Sequence, residues 1–201
     1  LVEPTGPRIP AWRRWWAALR CGRAALVLSS SLAVLLLGIG QHWELRPRDA
    51  LMAVSGAFLL HPAVNAFAEI QDTLRLLDLG RWYEPDPESC AILEGWVSPR
   101  ALWRVGAAML VLSLACGVPL LWWHADALLP MAAMAALAAW GYSQPPLALK
   151  YRGAGELVLF SASGPALVLG LSWCFFGQWN LVMVSLGICL GLWTVALHHV
   201  G

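Results

Sequence analysis

Long apolar runs separated by short polar breaks set the architecture of this chain. Six runs, at 24–43, 50–70, 101–123, 125–143, 156–176 and 180–200, each come close to the ~20 residues an α-helix needs to cross a bilayer. No period-two alternation accompanies them, so a β-barrel is not expected. The pattern predicts an all-α, polytopic transmembrane helix bundle of about six spans, forming a single membrane domain over residues 1–201. Residues 1–23 precede the first run as an arm in which Trp12, Trp15 and Trp16 are interleaved with Arg13 and Arg14. That mixture suits an amphipathic helix at headgroup level. Two polar breaks, 72–100 and 143–156, are large enough to build a site. Pro85, Pro87, Gly80 and Gly95 interrupt the first; Pro145, Pro146, Gly153 and Gly155 shape the second.

Composition agrees with this reading. Charged residues make up 12% of the chain and hydrophobic residues 59%, whereas a soluble domain carries roughly 25% charged residues. The net charge of +1 matters less than where the charges lie. Of the 13 lysines and arginines, all but Arg46 and Arg48 fall in the arm, around the 72–100 break or in the 143–156 break. The positive-inside rule then makes the N-terminus and both breaks cytoplasmic, in a multi-pass protein of the cell inner (plasma) membrane. The arm lacks a small-residue cleavage site and reads as an uncleaved anchor. The lipid bilayer is the expected environment, and no nucleic-acid partner is expected. Cys21, Cys90, Cys116, Cys174 and Cys189 form no CxxC pair and read as free thiols. Most tryptophans fall near the ends of apolar runs, as an aromatic belt requires.

Candidate chemistry starts at the end of the second run. Asn65, Glu69 and Asp72 are spaced i, i+4, i+7 and share one helix face. An acid at membrane depth costs roughly 2.5–3.5 kcal/mol on insertion scales, so it persists where it meets an ion, a cavity or a partner. Two carboxylates one turn apart beside an amide can hold a hard cation through oxygen, and Mg²⁺ suits them when phosphate completes its shell. The plainer reading is that these residues mark the helix end at the water interface. In the second break, Lys150 and Arg152 precede a helix start, with Gly153 and Gly155 allowing close backbone approach. This arrangement reads as an anion site, or more plainly as positive-inside anchoring. Taken together, the two breaks fit an amphiphile with a pyrophosphate head and a hydrocarbon tail. His61 reads as a packing or hydrogen-bonding residue, and adjacent His198 and His199 point to different helix faces. A small transporter would also carry intramembrane acids, but the inverted repeat expected of one is not seen.

At this point the residues resemble a family. Asn65-Ala-Phe-Ala68-Glu69-Ile-Gln-Asp72-Thr-Leu-Arg-Leu76-Leu-Asp78 is similar to the first acidic motif, N-x-x-N-D-x-x-D-x-x-x-G-x-D, of the UbiA superfamily of intramembrane prenyltransferases, in its menaquinone-type branch. Asn65, Asp72 and Asp78 match, and Glu69 replaces an aspartate. Ala68 and Leu76 replace an asparagine and a glycine. Gly95-Trp-Val-Ser-Pro99, Tyr142-Ser-Gln-Pro-Pro-Leu-Ala-Leu-Lys150 and Tyr151-Arg-Gly-Ala-Gly-Glu156 resemble further motifs of that superfamily. The resemblance implies a nine-helix fold of which this chain covers the N-terminal two thirds, truncated before a second acidic motif. It implies Mg²⁺-dependent transfer of a polyprenyl group from a polyprenyl diphosphate to an aromatic acceptor in quinone-type lipid biosynthesis. Glu69, Asp72 and Asp78 would hold the metal. Asn65, Lys150 and Arg152 would bind the diphosphate. Asp72, Tyr142 and Lys150 would serve the chemistry, with Tyr142 offering a cation–π face. The alternative is a truncated or non-catalytic relative that binds a prenyl diphosphate or a membrane partner without turnover.

Overall fold

The computed structural model describes residues 10–78 and 91–200, with the side chains of Arg23, Leu76, Asp78, His198, His199 and Val200 excepted. Among the described residues all regular structure is helical. The helices are α1 (Ala11–Ala18), α2 (Ala25–Gly40), α3 (Pro47–Asp78), α4 (Pro99–Trp123), α5 (Ala125–Ala136), α6 (Gly155–Ser161), α7 (Leu167–Phe176) and α8 (Leu181–Val200). A π turn, Leu137–Gly141, extends α5, and another, Ala162–Ala166, joins α6 to α7 around Pro165. Three segments are long and apolar enough to cross a membrane: Pro47–Arg75, Pro99–Trp123 and Gly155–Phe176. Ala25–Gly40, Ala125–Gly141 and Leu181–Leu197 are apolar and shorter.

Each apolar run of the sequence corresponds to one of these helices, with one difference that bears on the site. The second run continues as helix to Asp78. Asp72 therefore stands within a helix rather than at the opening of a loop. Pro62 does not break α3. At the start of α4, Ser98 caps the helix by accepting from the Ala101 N–H at 3.2 Å, and Pro99 takes the first position, where its missing N–H costs nothing.

Packing rests on small residues, as membrane helices require when lipid is as apolar as leucine. α3 and α4 run antiparallel: Ser113 donates to the Gly56 carbonyl at 2.8 Å, and a Cβ on Gly106 would lie 3.0 Å from that of Ala66. The π turn after α6 crosses α8 glycine against glycine, and a Cβ on Gly164 would lie 2.4 Å from the Gly187 carbonyl oxygen. Successive apolar helices alternate in direction. At one end, Arg46 N–H meets the Phe175 carbonyl at 2.6 Å, and Asp49 pairs with His124 at 3.0 Å. At the same end Asn180 pairs with Gln41. A core of Val34, Leu120, Val168, Leu171, Phe175, Phe176 and Met183 fills the bundle above it. The opposite end gathers Ala18, Leu19, Ala66, Ala91, Val97 and Leu102 beside the polar cluster described next.

Candidate functional site

The polar cluster grows from the last turns of α3. Glu69 is fully buried and Asp72 nearly so. Asp72 is the hub. Lys150 Nζ donates to its Oδ1 at 2.9 Å and its Oδ2 at 2.7 Å, and the Tyr151 hydroxyl donates to Oδ1. Arg20 Nη2 lies 3.3 Å from Glu69 Oε2 and 3.7 Å from Asp72 Oδ2. Two carboxylates thus face two cations brought in from separate parts of the chain.

The second polar break delivers Lys150 through a shaped turn. Lys150 and Tyr151 occupy a 3₁₀ turn, Leu149–Arg152, between left-handed Ala148 (φ 45°) and Gly153 (φ 79°). The Lys150 N–H donates to the Tyr142 carbonyl at 2.9 Å. Gly155 must lack a side chain, because a Cβ there would lie 2.9 Å from Lys150 Cα and 3.3 Å from the Tyr142 ring. Buried Gln144 donates to the Phe67 carbonyl at 3.2 Å and ties the loop to α3. Burial pushes the Tyr151 phenol well above its ordinary pKa, and the hydrogen bond to Asp72 and that residue's charge add to the shift. Tyr151 is therefore held protonated as a donor.

The residues predicted from sequence are distributed unevenly. Glu69, Asp72, Lys150 and the Tyr142 backbone meet in one cluster. Asn65 sits beside it, and its amide donates to the Leu19 carbonyl at 3.3 Å, which anchors the arm. Arg152 is exposed and turned away, donating to the Pro146 carbonyl at 2.8 Å. The side chain of Asp78 lies outside the described residues, as do Arg81, Asp86 and Cys90. Three contributors were missed in the sequence: the Tyr151 hydroxyl, which donates to Asp72 Oδ1, and two arginines. Arg75 stacks 3.7 Å above the Tyr151 ring centroid, and Arg20 reaches the acids across 49 residues of chain. Arg20 is one of five arm arginines, and no local pattern distinguishes it from the others. Arg75 lies three residues past Asp72, within the acidic motif itself, so the helical spacing that picked out the acids could also have flagged it.

A hard divalent cation needs more oxygen donors than this cluster leaves open. Glu69 and Asp72 present carboxylate oxygens one turn apart, but those of Asp72 are taken by Lys150, Tyr151 and Arg20. Among the described residues no group of three or more His, Cys, Asp or Glu has metal-binding geometry. A groove of about 310 Å³ between α3 and α4, lined by Ile70, Pro99, Arg100, Trp103 and Arg104, does not include the acids. The cluster is closed by its own ion pairs.

Compared with family models, curated proteins and solved structures, the chain matches none.

Proposed function

We propose that this polar end of the bundle binds the diphosphate head of a polyprenyl diphosphate, and that the protein transfers the prenyl group to an aromatic acceptor in the membrane that makes quinone-type lipids. The observation that carries the reading is the junction at Asp72. There the acidic face of α3 and the glycine-rich cationic loop meet at one buried end of an apolar bundle. A ligand suited to both has a multiply charged head and a long apolar tail. The similarity of these same stretches to the UbiA superfamily motifs supplies the reaction type. On this reading all six apolar helices span the membrane, with the cluster at the cytoplasmic side.

Lys150 has three N–H donors and uses two on Asp72. On this reading the third donates to a diphosphate oxygen, with Asp72 holding the ammonium. In the transfer, the allylic C–O bond breaks and its electron pair leaves with the diphosphate. A ring carbon of the acceptor attacks the allylic carbon, and the ring then loses a proton. On this reading the Tyr142 ring, whose edge packs against Gly155 beside Lys150, would turn a π face to the cationic carbon.

Calorimetric titration of the purified protein in detergent tests this reading. The diphosphate should bind at least about tenfold more tightly than the matching prenyl alcohol, because the charge-assisted contacts exist only for the former. Lys150→Ala should erase that preference. Equal affinity for the two ligands would refute the proposal, and tight binding without prenylated product would assign the non-catalytic role.

A further inference from the structure

We infer that the groove between α3 and α4 is a binding site for an anionic phospholipid, with Arg100 and Arg104 holding the headgroup phosphate. The groove, of about 310 Å³, is lined by Ile70 of α3 and by Pro99, Arg100, Trp103 and Arg104 from the start of α4. Arg100 and Arg104 are one helical turn apart, so both guanidiniums stand on the same side of the groove. Their forked N–H donors match the oxygens of a phosphate. Trp103 stands between them in the chain and is exposed. An indole in that place suits the boundary between headgroups and hydrocarbon.

Charge sets this groove apart from the rest of its end of the bundle. Arg20 and Lys150 are engaged with Glu69 and Asp72. Arg75 stacks on Tyr151, and Arg152 donates to the Pro146 carbonyl. Among the described residues no carboxylate pairs with Arg100 or Arg104, and both are exposed. The positive end of the α4 dipole adds to their field. The groove therefore holds two cations for which the described residues supply no counterion.

The apolar part of the ligand follows from α4 itself. Trp103, Val111, Leu114 and Val118 fall on one face of the helix and are exposed. From Trp103 to Leu114 the stripe runs about 16 Å along the helix axis. That is about half of the ~30 Å hydrocarbon core, the depth filled by the acyl chains of one leaflet. A phosphate at the arginines, a glycerol backbone at the indole and acyl chains along the stripe match this order of cationic, aromatic and apolar surface. A free phosphate ion would use only the first part. A zwitterionic lipid would bring a cation of its own up to the two arginines.

The test titrates the full chain in detergent with phosphatidylglycerol and with phosphatidylcholine of the same acyl chains, and reads bound lipid by native mass spectrometry. Phosphatidylglycerol should bind at least about tenfold more tightly, since each cation near an anionic headgroup adds to the attraction. This comparison needs no substitution, and equal affinity for the two lipids overturns the inference. Arg100→Gln together with Arg104→Gln should abolish the preference, and the matching pair of lysine substitutions, which keeps the charge, should retain most of it. Arg13→Gln together with Arg152→Gln removes two exposed cations from the same end and should leave the preference intact. A preference that survives the Arg100 and Arg104 glutamines, or that falls as far with those at Arg13 and Arg152, means diffuse surface charge and overturns the site. Inorganic phosphate in large excess should leave the lipid bound. Full displacement would assign the groove to a free anion and overturn the lipid. No readout involves a prenyl diphosphate or a residue of the Asp72 cluster, so failure here leaves the proposed function standing.

Discussion

Lys150 donates to both carboxylate oxygens of Asp72, at 2.9 and 2.7 Å, across 78 residues of chain. This contact fastens the loop before α6 to the end of α3, so it is both a structural tie and the centre of the candidate site. Asp72→Asn keeps the shape and removes the charge. It should cost about 1–3 kcal/mol, since Lys150 and Tyr151 lose a charged acceptor. It should also weaken prenyl diphosphate binding by at least about tenfold, because Lys150 loses the carboxylate that holds it. Thermal unfolding and calorimetry of the same preparation check both, and unaltered binding would remove Asp72 from the site.

Gly155→Ala should damage the site while leaving the bundle intact. The added Cβ meets Lys150 Cα at 2.9 Å, a backbone contact that cannot rotate away. The loop must shift, and the Lys150–Asp72 geometry shifts with it. Diphosphate affinity should fall several-fold, with helical content by circular dichroism unchanged.

Two other glycines should respond in opposite directions. At Gly164 a Cβ would lie 2.4 Å from the Gly187 carbonyl oxygen and 2.6 Å from Gly191 Cα, with backbone on both sides. Gly164→Ala should destabilise by about 1–3 kcal/mol, as overpacking does. At Gly117 a Cβ meets nothing within 4 Å. Gly117→Ala should be neutral or stabilise by about 0.5–1 kcal/mol through helix propensity. Melting temperatures in one detergent decide the matter, and similar losses at both sites would contradict this packing.

Tyr151 predicts a pH dependence of definite sign. Its folded pKa is raised above the ordinary value of 10.0. The neutral phenol therefore contributes stability that is fully present below about pH 10 and is lost as pH rises through the higher folded value. The melting-temperature gap between the protein and Tyr151→Phe should stay constant from pH 7 to about pH 9.5 and narrow above about pH 10. A gap that narrows at neutral pH would mean that Tyr151 is not the donor to Asp72.

Orientation follows from the basic residues. Single cysteines at Arg152 and Asp126 lie at opposite ends of the bundle. On intact cells an impermeant thiol reagent should label Asp126→Cys and spare Arg152→Cys. The reverse pattern would invert the topology.

The sequence by itself determined the helical class, the positions of the six apolar helices and the pairing of Glu69 with Asp72 on one face. These features depend on residues close in the chain, where hydropathy and the 3.6-residue period act directly. The polar breaks were legible for the same reason, and Gly95 and Gly153, which mark them in the sequence, sit where φ is positive. Only the tertiary structure decided which cations meet the acids. Lys150 and Arg152 are two residues apart and look equivalent in sequence, yet a 3₁₀ turn sends one to Asp72 and the other to the Pro146 carbonyl. Arg20 is one basic residue among several in the arm until the backbone turn at its left-handed position carries it to Glu69. Local patterns report what a residue prefers. The partner of a buried charge is fixed by how distant helices pack, and that packing turns on glycines whose importance shows only when another backbone lies against them.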